Sequence, residues 1–264
     1  MHALFFASLF FKMGSCLTIG LSRAFSSIRK CVIRHIFSFE GVFTAMRMRK
    51  KKHRDERLDA VSSLFVELDE NGLVPLPKEG RLFVEIGCGK GAFVRGLAKK
   101  EPDATIYALE KMTDVILLAA ESVAREEITN VRFLNVDAKT LSERFPPHSV
   151  DRLYLNFSDP WPKAGHYKRR LTYRGFLALY RRMLKENGEL FFKTDNAQLF
   201  DFSLSELRDD GWLVQNVTRD LHNSEYNADN IPTEYETNFS AKGFSIHRLE
   251  AICLPKKEED APVE

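Results

Sequence analysis

Residues 81–100 read RLFVEIGCGKGAFVRGLAKK, and this stretch divides into three parts. RLFVEI (81–86) is a short apolar run that ends at glycines, the signature of a buried strand. Gly87, Gly89 and Gly91 form a turn in which positive φ is allowed and a ligand can come close to the backbone. AFVRGLAKK has helical spacing and stops before Pro102. Strand, glycine turn and helix in succession open an alternating α/β fold.

The alternation continues outward. TIYALE (105–110), VRFLNVDA (131–138), DRLYLNF (151–157) and ELFFKTD (189–195) read as strands. DVILLAAESVAREE, YRGFLALYRRMLKENG and LFDFSLSELRDDG read as helices, the second closed by its Asn-Gly. WLVQNVT and FSIHRLEAICL supply two last strands with no helix expected between them, hence an antiparallel C-terminal hairpin at one edge. The predicted fold is a Rossmann-like, doubly wound, mostly parallel seven-stranded sheet with helices on both faces. Ligands of such sheets bind beyond the carboxyl ends of the strands. Those ends carry Glu85, Glu110, Asp137, Asp159 and Asp195, all acidic.

The flanks differ from this core. The chain has 264 residues, 44% apolar and 29% charged, with a formal net charge of only +2, so charge is informative only locally. Residues 1–45 hold eight of the 21 phenylalanines, five Lys/Arg and a single acid, Glu40. Their run ALFFASLFF stops at Lys12, about half the length a bilayer needs, so no membrane span is expected. This segment reads as an atypical extension, an over-extended start with translation beginning at Met46 or Met48, or else a transit peptide. Residues 46–57 form a basic arm, solvated or in contact with nucleic-acid phosphates. Residues 58–255 are the catalytic-type domain, and 256–264 a charged tail. Cys16, Cys31, Cys88 and Cys253 are scattered without CxxC or ligand-like spacing, which argues against a disulfide framework or a metal site and fits a cytoplasmic protein.

The glycine loop alone is ambiguous. Gly87, Gly89 and Ala92 also satisfy a dinucleotide fingerprint, and Glu110, 19 residues past Gly91, suits the ribose diol of either NAD or S-adenosylmethionine. A dinucleotide places its pyrophosphate at the helix N-terminus. Glu85 would repel that anion and favour a cationic ligand carrying an ammonium and a sulfonium. Asp137 and Ala138 could then meet an adenine edge.

The stretch NFSDPWPK (156–163), followed by AGHYKRR, is far more specific. EIGCGKG, ALE, VDA, FSDPWPKAGHYKRR, KTD, TEYE and FSAKG occur in an order that resembles the bacterial tRNA (guanine-N7-)-methyltransferase family over about residues 58–254. One departure is Ser158, where that family usually has Pro. The resemblance implies a methyl donor, S-adenosylmethionine, held by the glycine loop with Glu85, Glu110, Asp137 and Asp159. It implies substrate contacts from Lys163, Asp195, Thr233, Glu234, Tyr235 and Glu236. It implies tRNA contacts along Gly165, His166, Tyr167, Lys168, Arg169 and Arg170, and a variable-loop guanosine as target.

The chemistry follows from the purine. Guanine N7 has an in-plane lone pair and no proton, so methylation needs alignment more than a base. Positive charge moves from sulfur onto the ring, and a carboxylate such as Asp159 would stabilise it or orient the base. Asp195 and Glu236 are of the type to accept from guanine N1–H and N2–H₂. Trp161 either stacks on a base or packs against the sheet. Residues 163–182 hold seven Lys/Arg and no acid, which suits phosphates. Two other readings remain open: a methyltransferase of another RNA base, and a nicotinamide-dependent oxidoreductase.

Overall fold

The computed structural model describes residues 53–255. The expectations for residues 1–45, for the first part of the basic arm and for the tail therefore lie outside the described residues. The end of the arm is helical: α1 (Arg54–Ala60) is tied to the body by Arg57, whose guanidinium donates twice to Glu121 at 2.6 and 2.7 Å.

Seven strands form one sheet: β1 (Leu82–Ile86), β2 (Thr105–Leu109), β3 (Val131–Leu134), β4 (Val150–Asn156), β5 (Leu184–Thr194), β6 (Leu213–Thr218) and β7 (His247–Ile252). Their order is β3-β2-β1-β4-β5-β7-β6. β1 to β5 run parallel, and β7 is antiparallel to both β5 and β6. The chain runs outward from β1 through β2 to β3, then returns to lay β4 on the other side of β1. The β1/β4 seam is therefore the topological switch point, where a crevice opens beyond the strand ends.

Side chains alternate across the sheet, so each face has its own core. Leu82, Val84 and Ile86 of β1 pack with helices α4 (Arg174–Met183) and α5 (Ala197–Asp209), through residues such as Leu177, Tyr180 and Phe200. Phe83 of β1 packs on the opposite face with α2 (Ala92–Lys100) and α3 (Thr113–Arg125), through Val94, Leu97, Ile116 and Leu117. Glu85 shares the Phe83 parity, so its burial is dictated by its place on the central strand. Gly91 starts α2 at φ 80°, and a Cβ there would meet the Ala119 Cβ at 2.9 Å; its role is close helix packing.

Two local readings change. The helix expected to run to Asn187-Gly188 ends at Met183, and β5 begins at Leu184. Leu184 is 1% exposed and pairs with Val150, so burial overrides helix propensity, and Asn187 takes φ 58° within the strand. β6 and β7 are the expected antiparallel pair, but their connection contains a short helix, α6 (Glu234–Ser240). Among the described residues no helix is long and apolar enough to cross a membrane.

Candidate active site

Two clefts meet at the switch point. The larger, about 620 Å³, is lined by Glu110 and Lys111 after β2, Asp137 to Lys139 after β3, Phe157, Ser158, Asp159 and Trp161 after β4, and Arg169. The smaller, about 330 Å³, is lined by Glu85, the loop Gly87–Lys90, Phe93, Thr233, Glu234, Tyr235 and Asn238. Gly87, Asn156 and Phe157 line both, so they form the threshold between them.

Each carboxylate has a different environment. Glu85 is buried; its Oε1 accepts from Asn156 Nδ2 at 2.8 Å, while its Oε2 is buried with no partner among the described residues. Burial pushes its pKa up to about 8, opposed by the Asn156 hydrogen bond and the Lys193 charge and aided by Glu110. Glu110 accepts from Met112 N at 2.9 Å and from Gly89 N at 3.3 Å, which ties the glycine loop to the end of β2. Asp137 accepts from Lys139 N at 3.1 Å and lies 3.5 Å from Lys111 Nζ. The Lys139 amide, with Lys111 beside it, holds the Asp137 carboxyl below its usual range against the effect of burial. Asp159 is exposed on the cleft wall and makes no hydrogen bond or ion pair with the described residues.

The Asp159 loop is held under backbone strain. Phe157 and Trp161 take φ 52° and 42°, positions costly for bulky residues and characteristic of functional sites. Phe157 N donates to Lys193 O at 2.8 Å. Arg170 donates to Pro160 O at 3.0 Å and to Trp161 O at 3.2 Å, and its guanidinium covers the Phe202 ring. Arg170 is thus a brace for the loop, unlike its neighbours. Gly165, Tyr167, Lys168 and Arg169 are exposed on a 3-10 turn spanning Ala164–Arg169, and Lys163, just before it, is exposed too. Trp161 lines the cleft, with His166 edge-on at 5.8 Å and the Arg169 guanidinium 4.8 Å above its ring. Ser158 buries its hydroxyl without a partner.

The TEYE run divides as well. Thr233 caps α6, accepting from Glu236 N at 2.9 Å in a capping box. Glu234 pairs with Lys90 at 2.8 Å, largely in solvent. Tyr235 Oη donates to Asp195 Oδ2 at 3.1 Å, joining two expected substrate residues. Glu236 differs from expectation. It is 0% exposed, and its carboxylate accepts from Lys193 Nζ at 2.7 Å and from Asn230 Nδ2, and lies 2.9 Å from His222 Nε2. In this structure the enclosed carboxylate anchors α6 against β5. Burial raises the Glu236 pKa, but Lys193, His222 and Asn230 together hold it below the usual range.

Lys193 and Asn156 escaped the sequence reading, although a signal existed. Lys193 lies near the end of an apolar strand, and a cation buried there demands an anion; it finds Glu236, with Asn230 Oδ1 and Ile231 O each at 2.9 Å. Lys111, Lys139 and Phe157 had no distinguishing pattern.

The glycine loop fits a cationic, diol-bearing ligand. Gly87 and Gly89 have φ of 81° and 55°, and a Cβ on either would meet nothing within 4 Å. Beside that open space stands the unpartnered Glu85 oxygen, which an ammonium would satisfy and a pyrophosphate would not. Among the described residues no group of three or more His, Cys, Asp or Glu could hold a metal ion.

Residues 79–249 match a family model described as "Putative methyltransferase". A tRNA (guanine-N(7)-)-methyltransferase of Exiguobacterium sp. is 43% identical over 215 residues, covering 80% of this chain and 100% of the relative. One from Brevibacillus brevis is 48% identical over 175 residues, covering 66% and 82%. Among solved structures, the 16S rRNA methyltransferase KamB matches with a TM-score of 0.51 at 13% identity over 80% of this chain and 97% of that one. At that identity the likeness concerns the fold alone.

Proposed function

The chain belongs to the tRNA (guanine-N7-)-methyltransferase family, and on that premise we propose that it methylates N7 of a guanosine in tRNA, in the variable loop, with S-adenosylmethionine as donor. The observation that carries this reading is the unpartnered Asp159 carboxylate, set in the same cleft as Glu110 and Asp137.

Bound S-adenosylmethionine supplies an electrophilic methyl group on a cationic sulfur. Glu110 would hold its ribose, Asp137 and Ala138 its adenine, and Glu85 its ammonium, across the threshold formed by Gly87, Asn156 and Phe157. Asp159 faces the purine and offsets the charge that grows on the ring as N7 is alkylated. No residue has to remove a proton from N7, which carries only a lone pair. Tyr235 and Asp195, joined by a hydrogen bond, would orient the base, and Arg170, bonded to the Pro160 carbonyl, would keep Asp159 in position. Lys163, Lys168 and Arg169 supply phosphate contacts that place the tRNA without reading its sequence. We place the reaction in the cytoplasm, where Cys88 and Cys253, both buried, stay as thiols.

Replacing Asp159 with Ala tests this. The variant should lose methyl transfer while tRNA affinity stays near that of the wild type; unchanged methylation overturns the assignment.

A further inference from the structure

The FSAKG stretch (239–243) and the residue after it have no part in the chemistry above, yet their side chains are arranged in series with the cleft. Phe157, on the threshold, lies 5.0 Å from the Tyr235 ring. Tyr235 stacks on Phe239 at 4.0 Å and 15°, and Phe239 meets Phe244 at 5.6 Å. A ladder of rings thus leads out of the cleft and ends in solvent. Phe244 is 53% exposed, more than any other large hydrophobic side chain described. Lys242 holds its ammonium 5.0 Å from the Phe239 ring. Residues 237–249 contain no Asp or Glu.

We propose that Phe244, backed by Phe239 and with Lys242 nearby, is a stacking platform for an unpaired nucleobase flanking the guanine that is methylated. The proposal rests on the reading of the chain as a tRNA methyltransferase. A flat exposed ring continuous with a site for one nucleobase suits a second base, because every base has a π-face. The Lys242 ammonium, over the neighbouring Phe239 ring, suits the phosphate between the two bases, and the lack of acids in residues 237–249 leaves that phosphate unopposed.

Phe244 also has a local role. Gly243, at φ 82°, donates to Ser240 O at 2.9 Å, and Phe244 N donates to Phe239 O at 3.3 Å, a helix-ending motif that usually includes one apolar contact. That contact is tilted and leaves Phe244 53% exposed. Leucine can make it; leucine cannot stack.

The test compares Phe244→Leu and Phe244→Trp with the wild-type chain, measuring the dissociation constant for tRNA, kcat and KM for tRNA, and the midpoint of thermal unfolding. Base stacking on an aromatic ring predicts that Phe244→Leu weakens tRNA binding about 5- to 150-fold, with the melting midpoint and donor affinity unchanged. Phe244→Trp should bind tRNA at least as tightly as the wild type. Wild-type affinity in Phe244→Leu, or loss of affinity in a folded Phe244→Trp, overturns the platform. A wild-type chain that forms no 7-methylguanosine in tRNA overturns the underlying reading instead, so the two failures are distinct.

Discussion

Glu85→Gln is expected to make the protein more stable and less able to bind its donor. Glutamine keeps an oxygen to accept from Asn156 and never ionises. In the wild type, burial raises the Glu85 pKa from an ordinary 4.5 to about 8, so the folded state binds this proton more tightly than the unfolded state does. The sign follows from linkage: the stability contribution is complete below about pH 4.5 and is lost as pH rises towards 8. At 1.36 kcal/mol per pH unit, the loss is about 3 kcal/mol at pH 7 and about 5 kcal/mol above pH 8. Urea unfolding of both proteins at pH 4.5, 7 and 8.5 should show nearly equal stability at the lowest pH and a gap that widens in favour of Glu85→Gln. Calorimetry completes the test. Glu85 is mostly protonated at pH 7, so wild-type donor affinity should rise with pH and level off above about pH 8, with a proton released on binding. The variant should bind weakly and without that rise. A gap in stability that does not change with pH, or a variant that binds donor like the wild type, refutes the reasoning.

Other substitutions separate braces from contacts. Arg170→Ala removes two hydrogen bonds to the Pro160 and Trp161 carbonyls and should cost about 1–3 kcal/mol in denaturant unfolding, with a fall in kcat. The pair Lys168→Ala and Arg169→Ala should cost no more than about 1 kcal/mol in unfolding, from the lost Arg169–Trp161 contact, but weaken tRNA binding and reduce the slope of log affinity against log salt by about two. Glu236→Gln leaves Lys193 buried without its anion and should cost about 3–5 kcal/mol by the same unfolding measurement, far more than loss of an exposed pair such as Lys90–Glu234. Equal stability losses for Glu236→Gln and Glu234→Gln would contradict the placement of Glu236.

Much of the molecule is legible in the sequence because its signals are local. The buried β1 run, the glycines and the following helix share one short stretch, and the acids that end β2 and β3 are fixed by the period of their strands. What the sequence left unread lies in tertiary contacts. Helix α4 stops at Met183 because Leu184 is drawn into the core beside Val150, which no propensity at Asn187-Gly188 reveals. Glu236 looks like its neighbours in TEYE but is the N3 residue of a capping box and the counter-ion of a lysine from β5. Arg170 is one more basic residue in a basic run until its guanidinium is seen to grip the loop ten residues earlier. Phe157 and Trp161 carry the strain of that loop in backbone angles, which leave no compositional trace.

The most direct measurement is of the product. Purified protein, unmodified tRNA and methyl-labelled S-adenosylmethionine are incubated, the RNA is digested to nucleosides, and the labelled nucleoside is identified. Label in 7-methylguanosine, lost with Asp159→Ala, is the predicted result. Label in a different nucleoside, or none in the RNA, would contradict it.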